Sequence, residues 1–349
     1  MSLTWRLLSV VSALIILAGI DRPEAFAQGD PARNTFGLGA TILVDSQGTA
    51  YFSTPEGAIT AIKLDSGTPL WTTPKGKAYR PLAVSGKYLV AMQEGGQPKA
   101  GKHLGIAFLQ LADGGEHQVS WIELSAEAWV SVKNGLGSSL RASATPGPGD
   151  KVTVAWISEW QREVRGMPDE DEEEEAQDLK RLSARAEADS GSVEIDPNGR
   201  VQPLVRRAAG PTGSTAQPPV QIMPPLRQDL SADRRLKGLP EPQFSSADQT
   251  HVLVSEMKGN DHELNKYRWT IYSSAAGEPL GTIATPFPTA PFIVSGSTLV
   301  YQLRPYAVRD QGDRMVRSPL KLVAMDLRTG SKLWEHPVLD PEYYGPFPN

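Results

Sequence analysis

Arg80, Arg141 and Gln243 are the side chains best suited to hold a ligand. Each comes near the end of a stretch that reads as an inner β-strand, so a fold gathering such ends around one mouth would offer two guanidiniums and an amide. Those groups bind an anionic or polar molecule through charge-assisted hydrogen bonds. The competing reading is that all three are ordinary rim residues. Asp169 to Glu175 is an unbroken acidic run, which could attract calcium or a basic partner. Calcium, however, needs oxygens converging from a folded loop with a defined turn. A plain acidic run repels itself and reads as a solvated loop. The histidines, at 103, 117, 251, 262 and 336, show no paired metal-ligand spacing, and His262 sits in the polar turn "NDHE". No nucleophile elbow, Walker loop or dinucleotide fingerprint stands in a strand-to-helix context. The Gly-rich "GLGSSL" at 135–140 leads into a strand and reads as a loop entering a sheet.

Two tryptophans point from chemistry to architecture. "AIKLDSGTPLW" (Ala61 to Trp71) and "AMDLRTGSKLW" (Ala324 to Trp334) repeat one pattern: a small residue, alternating apolar residues, a Ser/Thr-Gly turn and a Trp four residues later. Either indole could stack on a sugar or a quinone, but the recurring position argues for packing between repeats. "RPLAVSGKYLVA" (Arg80 to Ala91) likewise matches "APFIVSGSTLVY" (Ala290 to Tyr301). Around these copies, short alternating runs rich in β-branched and aromatic residues are separated by Gly, Pro and Asp turns, the pattern of antiparallel strands. The first unit holds four of them, from "TILVD" to "PLWTT". Weaker copies lie at 103–124, at 140–204 with a hairpin turn at Asp196-Pro197-Asn198-Gly199, and at 250–283 with a turn at Gly277. Repeats of about 45 to 50 residues with four strands each are the signature of propeller blades. An indole on each outer strand can bury on the order of 200 Å2 against the next sheet.

The expected fold is therefore all-β: a β-propeller of four-stranded antiparallel blades, five visible and four to seven allowed. Two interruptions stand out. Residues 161–190 form an acidic insertion whose later part favours a short helix, and residues 208–242 form a Pro/Gly-rich linker. The segment "NTFGLGATILVD" is available to complete the last blade and so close the ring, while the C-terminal "LDPEYYGPFPN" offers a cap.

Bulk composition sets the compartment. The formal net charge is -5 and no Lys/Arg stripe occurs, which removes the attraction that nucleic-acid binders use. Arg6, the apolar stretch from Leu7 to Gly19 and Ala25-Phe26-Ala27 read as a signal peptide (1–27) cleaved after Ala27. The apolar stretch is shorter than the roughly 20 residues of a spanning helix, and an uncleaved N-terminal anchor is the competing reading. The remaining chain, 28–349, is expected as one propeller domain, monomeric, without a transmembrane segment, periplasmic or secreted. With no cysteine, disulfides, thiolate nucleophiles and N-terminal lipidation on Cys are excluded.

At these residues the chain resembles the PQQ-like (quinoprotein-like) β-propeller repeat family, whose blade motif runs Ala-x-Asp-x-x-Thr-Gly-x-x-x-Trp. Ala324, Asp326, Thr329, Gly330 and Trp334 match throughout; Ala61, Gly67 and Trp71 match with Ser66 in place of Thr, and Lys63 stands where the motif has Asp. The family includes quinone-dependent dehydrogenases, outer-membrane assembly lipoproteins and non-catalytic binding proteins. Similar enzymes place an adjacent cysteine pair over the quinone and calcium beside it. Without cysteine or an acidic and amide cluster, the resemblance points to a non-enzymatic exported member with no cofactor, PQQ included. The expected role is a binding scaffold for another envelope protein. The alternative is a quinone- or other small-ligand-dependent enzyme or binder that uses the axial funnel, with PQQ as its cofactor.

Overall fold

The computed structural model describes residues 34–39, 41–93, 102–124, 136–162, 190–206, 236–259, 264–309 and 315–340. The signal segment, the acidic run with its predicted helix, His262 and the linker up to residue 235 lie outside them.

Strands follow the turns that the sequence marks. Blade 1 runs β1 (Thr35–Gly37), β2 (Ile42–Asp45), β3 (Thr49–Ser53), β4 (Ile59–Lys63) and β5 (Pro69–Thr72). Blade 2 holds β6 (Tyr79–Ser85), β7 (Tyr88–Gln93), β8 (Lys102–Gln110) and β9 (Glu116–Leu124). Blade 3 holds β10 (Leu136–Pro146), β11 (Val152–Arg162), β12 (Gly191–Ile195) and β13 (Val201–Arg206). Blade 4 holds β14 (Gln243–Ser245), β15 (His251–Met257), β16 (Tyr267–Ser273) and β17 (Pro279–Thr285). In blade 5, β18 (Phe292–Ser295) and β19 (Thr298–Leu303) are followed by a separate hairpin, β20 (Ala307–Arg309) and β21 (Met315–Arg317); β22 (Lys321–Asp326) and β23 (Ser331–Pro337) then complete the sheet. Each blade is an antiparallel meander, the order expected of a β-propeller. The β20–β21 hairpin was not foreseen, and β14 is the short inner strand on which Gln243 was expected. "NTFGLGATILVD" does not complete the last blade, because β1 pairs with β2 inside blade 1.

One irregularity recurs in all five blades. Where the third strand meets the outer strand, one outer residue is left unpaired beside Ala61/Ile62, Phe108/Leu109, Ser192/Val193, Ile271/Tyr272 and Ala324/Met325. A β-bulge at a fixed place bends each outer strand and increases its twist. The turn preceding it is closed by main chain: Gly67 N bonds Lys63 O, Gly114 N bonds Gln110 O, Gly277 N bonds Ser273 O and Gly330 N bonds Asp326 O. All four glycines have φ near +70°, the left-handed conformation that glycine adopts without Cβ strain. The residue that supplies the carbonyl needs no particular side chain. Asp326 adds bonds from Arg328 N and Thr329 Oγ1 at 3.0 and 3.3 Å, and Ser273 Oγ accepts from Ala276 N at 3.4 Å, but the side chains at Lys63 and Gln110 differ and the turn closes all the same.

Blades pack through these glycines. The Trp71 indole of blade 1 lies over Gly114 of blade 2 and donates to Leu111 O at 2.8 Å. Trp334 of blade 5 lies over Gly67 of blade 1 and donates to Leu64 O at 3.2 Å. Gln118 of blade 2 takes the same place over Gly199 of blade 3. In blade 4 the equivalent residue is Gly281, and a Cβ there would strike the Leu327 carbonyl of blade 5, so those two sheets approach more closely. Behind these contacts lie four buried clusters. One joins blades 1 and 2 (Tyr51, Ile59, Trp71 with Tyr79, Leu89, Leu109) and another blades 2 and 3 (Val90, Phe108 with Val154, Trp156). The other two join blades 4 and 5 (Trp269, Ile271 with Phe292, Tyr301) and blades 5 and 1 (Val300, Leu322 with Phe52, Ile62).

Among the described residues no such cluster joins blade 3 to blade 4. The blade 3 face turned that way mixes half-buried Ser143, Thr153, Ser192 and Glu194 with half-buried Ala155 and Ile157, and a Cβ on Gly277 of blade 4 would meet nothing. Closure between blades 5 and 1 is completed by the residues after β23. Leu339 N donates to Ser53 O and Thr41 Oγ1 donates to Leu339 O, at 2.8 and 2.9 Å.

Trp71→Ala should therefore cost about 3–5 kcal/mol in urea unfolding, the cost of emptying a large aromatic site. Gly114→Ala should destabilise through the same contact from the other side. An unfolding midpoint unchanged in either variant would contradict the indole-on-glycine packing.

Candidate functional site

Arg80, Arg141 and Gln243 do lie on the innermost strands of three blades, on β6, β10 and β14. Alternation along a strand separates them. Tyr79 belongs to the cluster of blades 1 and 2, so the half-buried Arg80 starts from the face turned to blade 3. Leu140 and Ala144 belong to the cluster of blades 2 and 3, so the exposed Arg141 starts from the face turned to blade 4. Gln243 is buried, and its amide holds main chain: Oε1 accepts from Leu236 N at 2.9 Å, while Nε2 donates to Leu236 O at 3.0 Å and Leu239 O at 3.5 Å. Gln243 thus fastens residues 236–239, the end of the Pro-rich stretch, to the inner edge of blade 4.

The outer circumference carries a feature that the sequence reading missed. The residues left unpaired by the five bulges are Leu70, His117, Leu204, Leu280 and Leu333. The four leucines are 46%, 53%, 38% and 46% exposed, among the most exposed large apolar side chains described. His117 is exposed as well and lies against Tyr88, with ring centroids 5.0 Å apart. One geometric device thus turns an apolar side chain outward on four of five blades. The signal was present as Leu-Trp at 70–71 and 333–334, where the Trp drew all the attention.

Titratable groups in the interior serve structure. Tyr79, buried between blades 1 and 2, donates its hydroxyl to Glu116, which also pairs with Lys77 at 3.5 Å. Burial, and then the bond to Glu116, push the phenol well above its ordinary range. His251 is held below 6.5 by burial, with Asp248 opposing; its Nδ1 lies 2.7 Å from Thr250 Oγ1. Among the described residues, no three His, Cys, Asp or Glu side chains are placed to hold a metal ion.

No family model matches this chain, and no curated protein does. Solved structures similar to it include BamB from Moraxella catarrhalis, at 13% identity over 87% of this chain and 65% of that one, with a TM-score of 0.27. A europium-containing methanol dehydrogenase is similar at 14% identity over 83% and 67%, TM-score 0.23. The β-propeller domain of Cps50 (Swd1) from Myceliophteria thermophila is similar at 11% over 88% and 89%, TM-score 0.25. The chain spans just under two thirds of BamB. It is a β-propeller. That conclusion stands on its own sheet order and repeated bulges.

Two outcomes follow. Gln243→Ala should release residues 236–239, seen as faster amide exchange at Leu236 and a loss of about 1–3 kcal/mol for unsatisfied buried partners. The His251 contribution runs with pH as follows: above 6.5 both folded and unfolded imidazoles are neutral and it is fully present. It is lost as pH falls from there toward the lower folded value, because only the unfolded state takes up the proton. Urea midpoints recorded from about pH 7.5 down to about pH 5 should fall, and His251→Gln should flatten that slope.

Proposed function

We propose that this protein is an exported, non-catalytic β-propeller of the PQQ-like repeat family that binds another protein of the cell envelope through its outer circumference. The observation that carries this reading is the repeated bulge, which puts Leu70, Leu204, Leu280 and Leu333 in solvent at equivalent points of four blades. Leucine in water gains by being covered, and exposed apolar groups in a polar frame mark interaction surfaces. The N-terminal apolar segment supports export, and the absence of cysteine fits a scaffold stabilised by its core alone. The acidic run and the Pro-rich stretch are additional docking elements in this proposal, and the mature chain begins after Ala27.

A second reading rests on Arg80 and Arg141. Each lies five residues before the end of its innermost strand, at Ser85 and Pro146, and starts from the face turned to the following blade, so the two arginines recur at the inner edge of adjacent blades. That arrangement suits an anionic small molecule at the channel rim, with Gln243 holding the neighbouring loop. Replacing Arg80 and Arg141 together by Ala and finding any identified anion bound as before would remove this reading.

Replacing Leu70, Leu204 and Leu333 by Ser tests the circumference. Stability should stay within about 0.5 kcal/mol, as for ordinary surface changes. Capture of the envelope partner by in-cell crosslinking should drop about tenfold or more, the loss of 1.4 kcal/mol in binding. Undiminished capture by the triple variant would refute the outer-rim reading.

A further inference from the structure

The outer strand of every propeller blade is a sheet edge, and half of its N–H and C=O groups face away from the sheet. Four of the five outer edges carry devices that discourage pairing. The strand β5 has only four residues and begins with Pro69; β9 carries Glu116 and Glu123; β13 is interrupted by Pro203; β23 carries Lys332 and Glu335. Only β17 has none of these inside a full-length strand. Its seven residues, Pro279-Leu-Gly-Thr-Ile-Ala-Thr285, include no charge, and its one Pro is the first residue. The bulge at Leu280 disturbs only that first end, and Gly281 to Thr285 pair regularly with β16. Ile283 is buried toward blade 5, while Leu280, Thr282 and Ala284 are exposed. Among the described residues no strand pairs with the outer side of β17.

We infer that two copies of this chain associate through β17, edge to edge and antiparallel about a two-fold axis. An edge of this kind pairs best with an extended strand free of charge, and among the described outer edges β17 itself is the longest such strand, β5 having only four residues. A two-fold operation makes the outward backbone groups of one β17 complementary to those of the other. With the axis at Ile283, Thr282 lies opposite Ala284 of the second copy and Gly281 opposite Thr285. Every cross-strand pair is free of like-charge opposition, and Ile283 meets its own β-branched counterpart. The two four-stranded blades become one eight-stranded sheet. Five residues on each side cover little area, so the dimer is weak, with a dissociation constant between about 10 μM and 1 mM. This association goes beyond the envelope-partner reading and does not depend on it: of the outward leucines only Leu280 lies on β17, before the paired stretch, and Leu70, Leu204 and Leu333 lie on other blades.

Sedimentation equilibrium of the mature chain across that concentration range is the test. The wild-type chain should shift from monomer toward dimer, and amide exchange at Gly281 to Thr285 should slow as concentration rises. The double variant T282K/A284K places Lys opposite Lys and should weaken association about tenfold or more; T282E/A284E should do the same, and mixing the two variants should restore it. Three results would overturn the inference: a monomer throughout, association in the double Lys variant equal to wild type, or concentration-dependent protection confined to other strands. Should either variant fail to fold, the exchange experiment on the wild-type chain decides alone.

Discussion

An indole on one blade and a glycine on the next share a space too small for a Cβ, and the ring is assembled around that exclusion. Trp71 over Gly114 and Trp334 over Gly67 have the same donor, the same acceptor position three residues before the glycine, and the same left-handed turn beneath. Blade spacing is set by steric fit, and the apolar clusters behind it supply most of the free energy. The glycine carries two constraints at once: its φ closes the turn, and its missing side chain makes room for the neighbour. The other blades obey the rule with different residues. Gln118 is a thinner lid over Gly199, and Gly281 removes the lid altogether so that backbone meets backbone.

This double constraint explains what was legible. Glycine and tryptophan answer to geometry that nothing else satisfies, so Gly67, Trp71, Gly330 and Trp334 gave away the repeat and with it the fold. The motif carboxylate answers to a weaker demand, because its carbonyl alone closes the turn; Lys63 can therefore replace Asp without disturbing blade 1. The strand β14 is three residues long and follows a Pro-rich stretch, too short to show a period. The hairpin β20–β21 reads as an ordinary loop for the same reason. For the candidate site less could be read. Arg80, Arg141 and Gln243 were placed on inner strands from register alone, but register says nothing of the separate spaces between blades in which the two arginines begin. Nor does it say that the Gln243 amide is taken up by Leu236 and Leu239. The outward leucines were hidden because a bulge breaks the alternation from which inside and outside are inferred.

The blades are not energetically equivalent. Four neighbouring pairs share a buried apolar cluster, whereas blade 3 turns serine, threonine and glutamate as well as alanine and isoleucine toward blade 4. Hydroxyl and carboxylate groups keep water or polar partners more cheaply than they give them up. Blade 4 is accordingly anchored through blade 5 by Trp269, Ile271 and Ile283, and blade 3 through blade 2 by Val154 and Trp156. The outer bulges, by contrast, recur in every blade whatever its neighbours, so the exposed leucines belong to the repeat itself.

The clasp formed by Thr41, Ser53 and Leu339 has a consequence for biogenesis. Synthesis delivers blade 1 before blade 5, so blade 1 receives its final partners only once Leu339 has been made. Its Phe52 and Ile62 surface stays uncovered until blade 5 supplies Val300 and Leu322, so the ring closes late in synthesis.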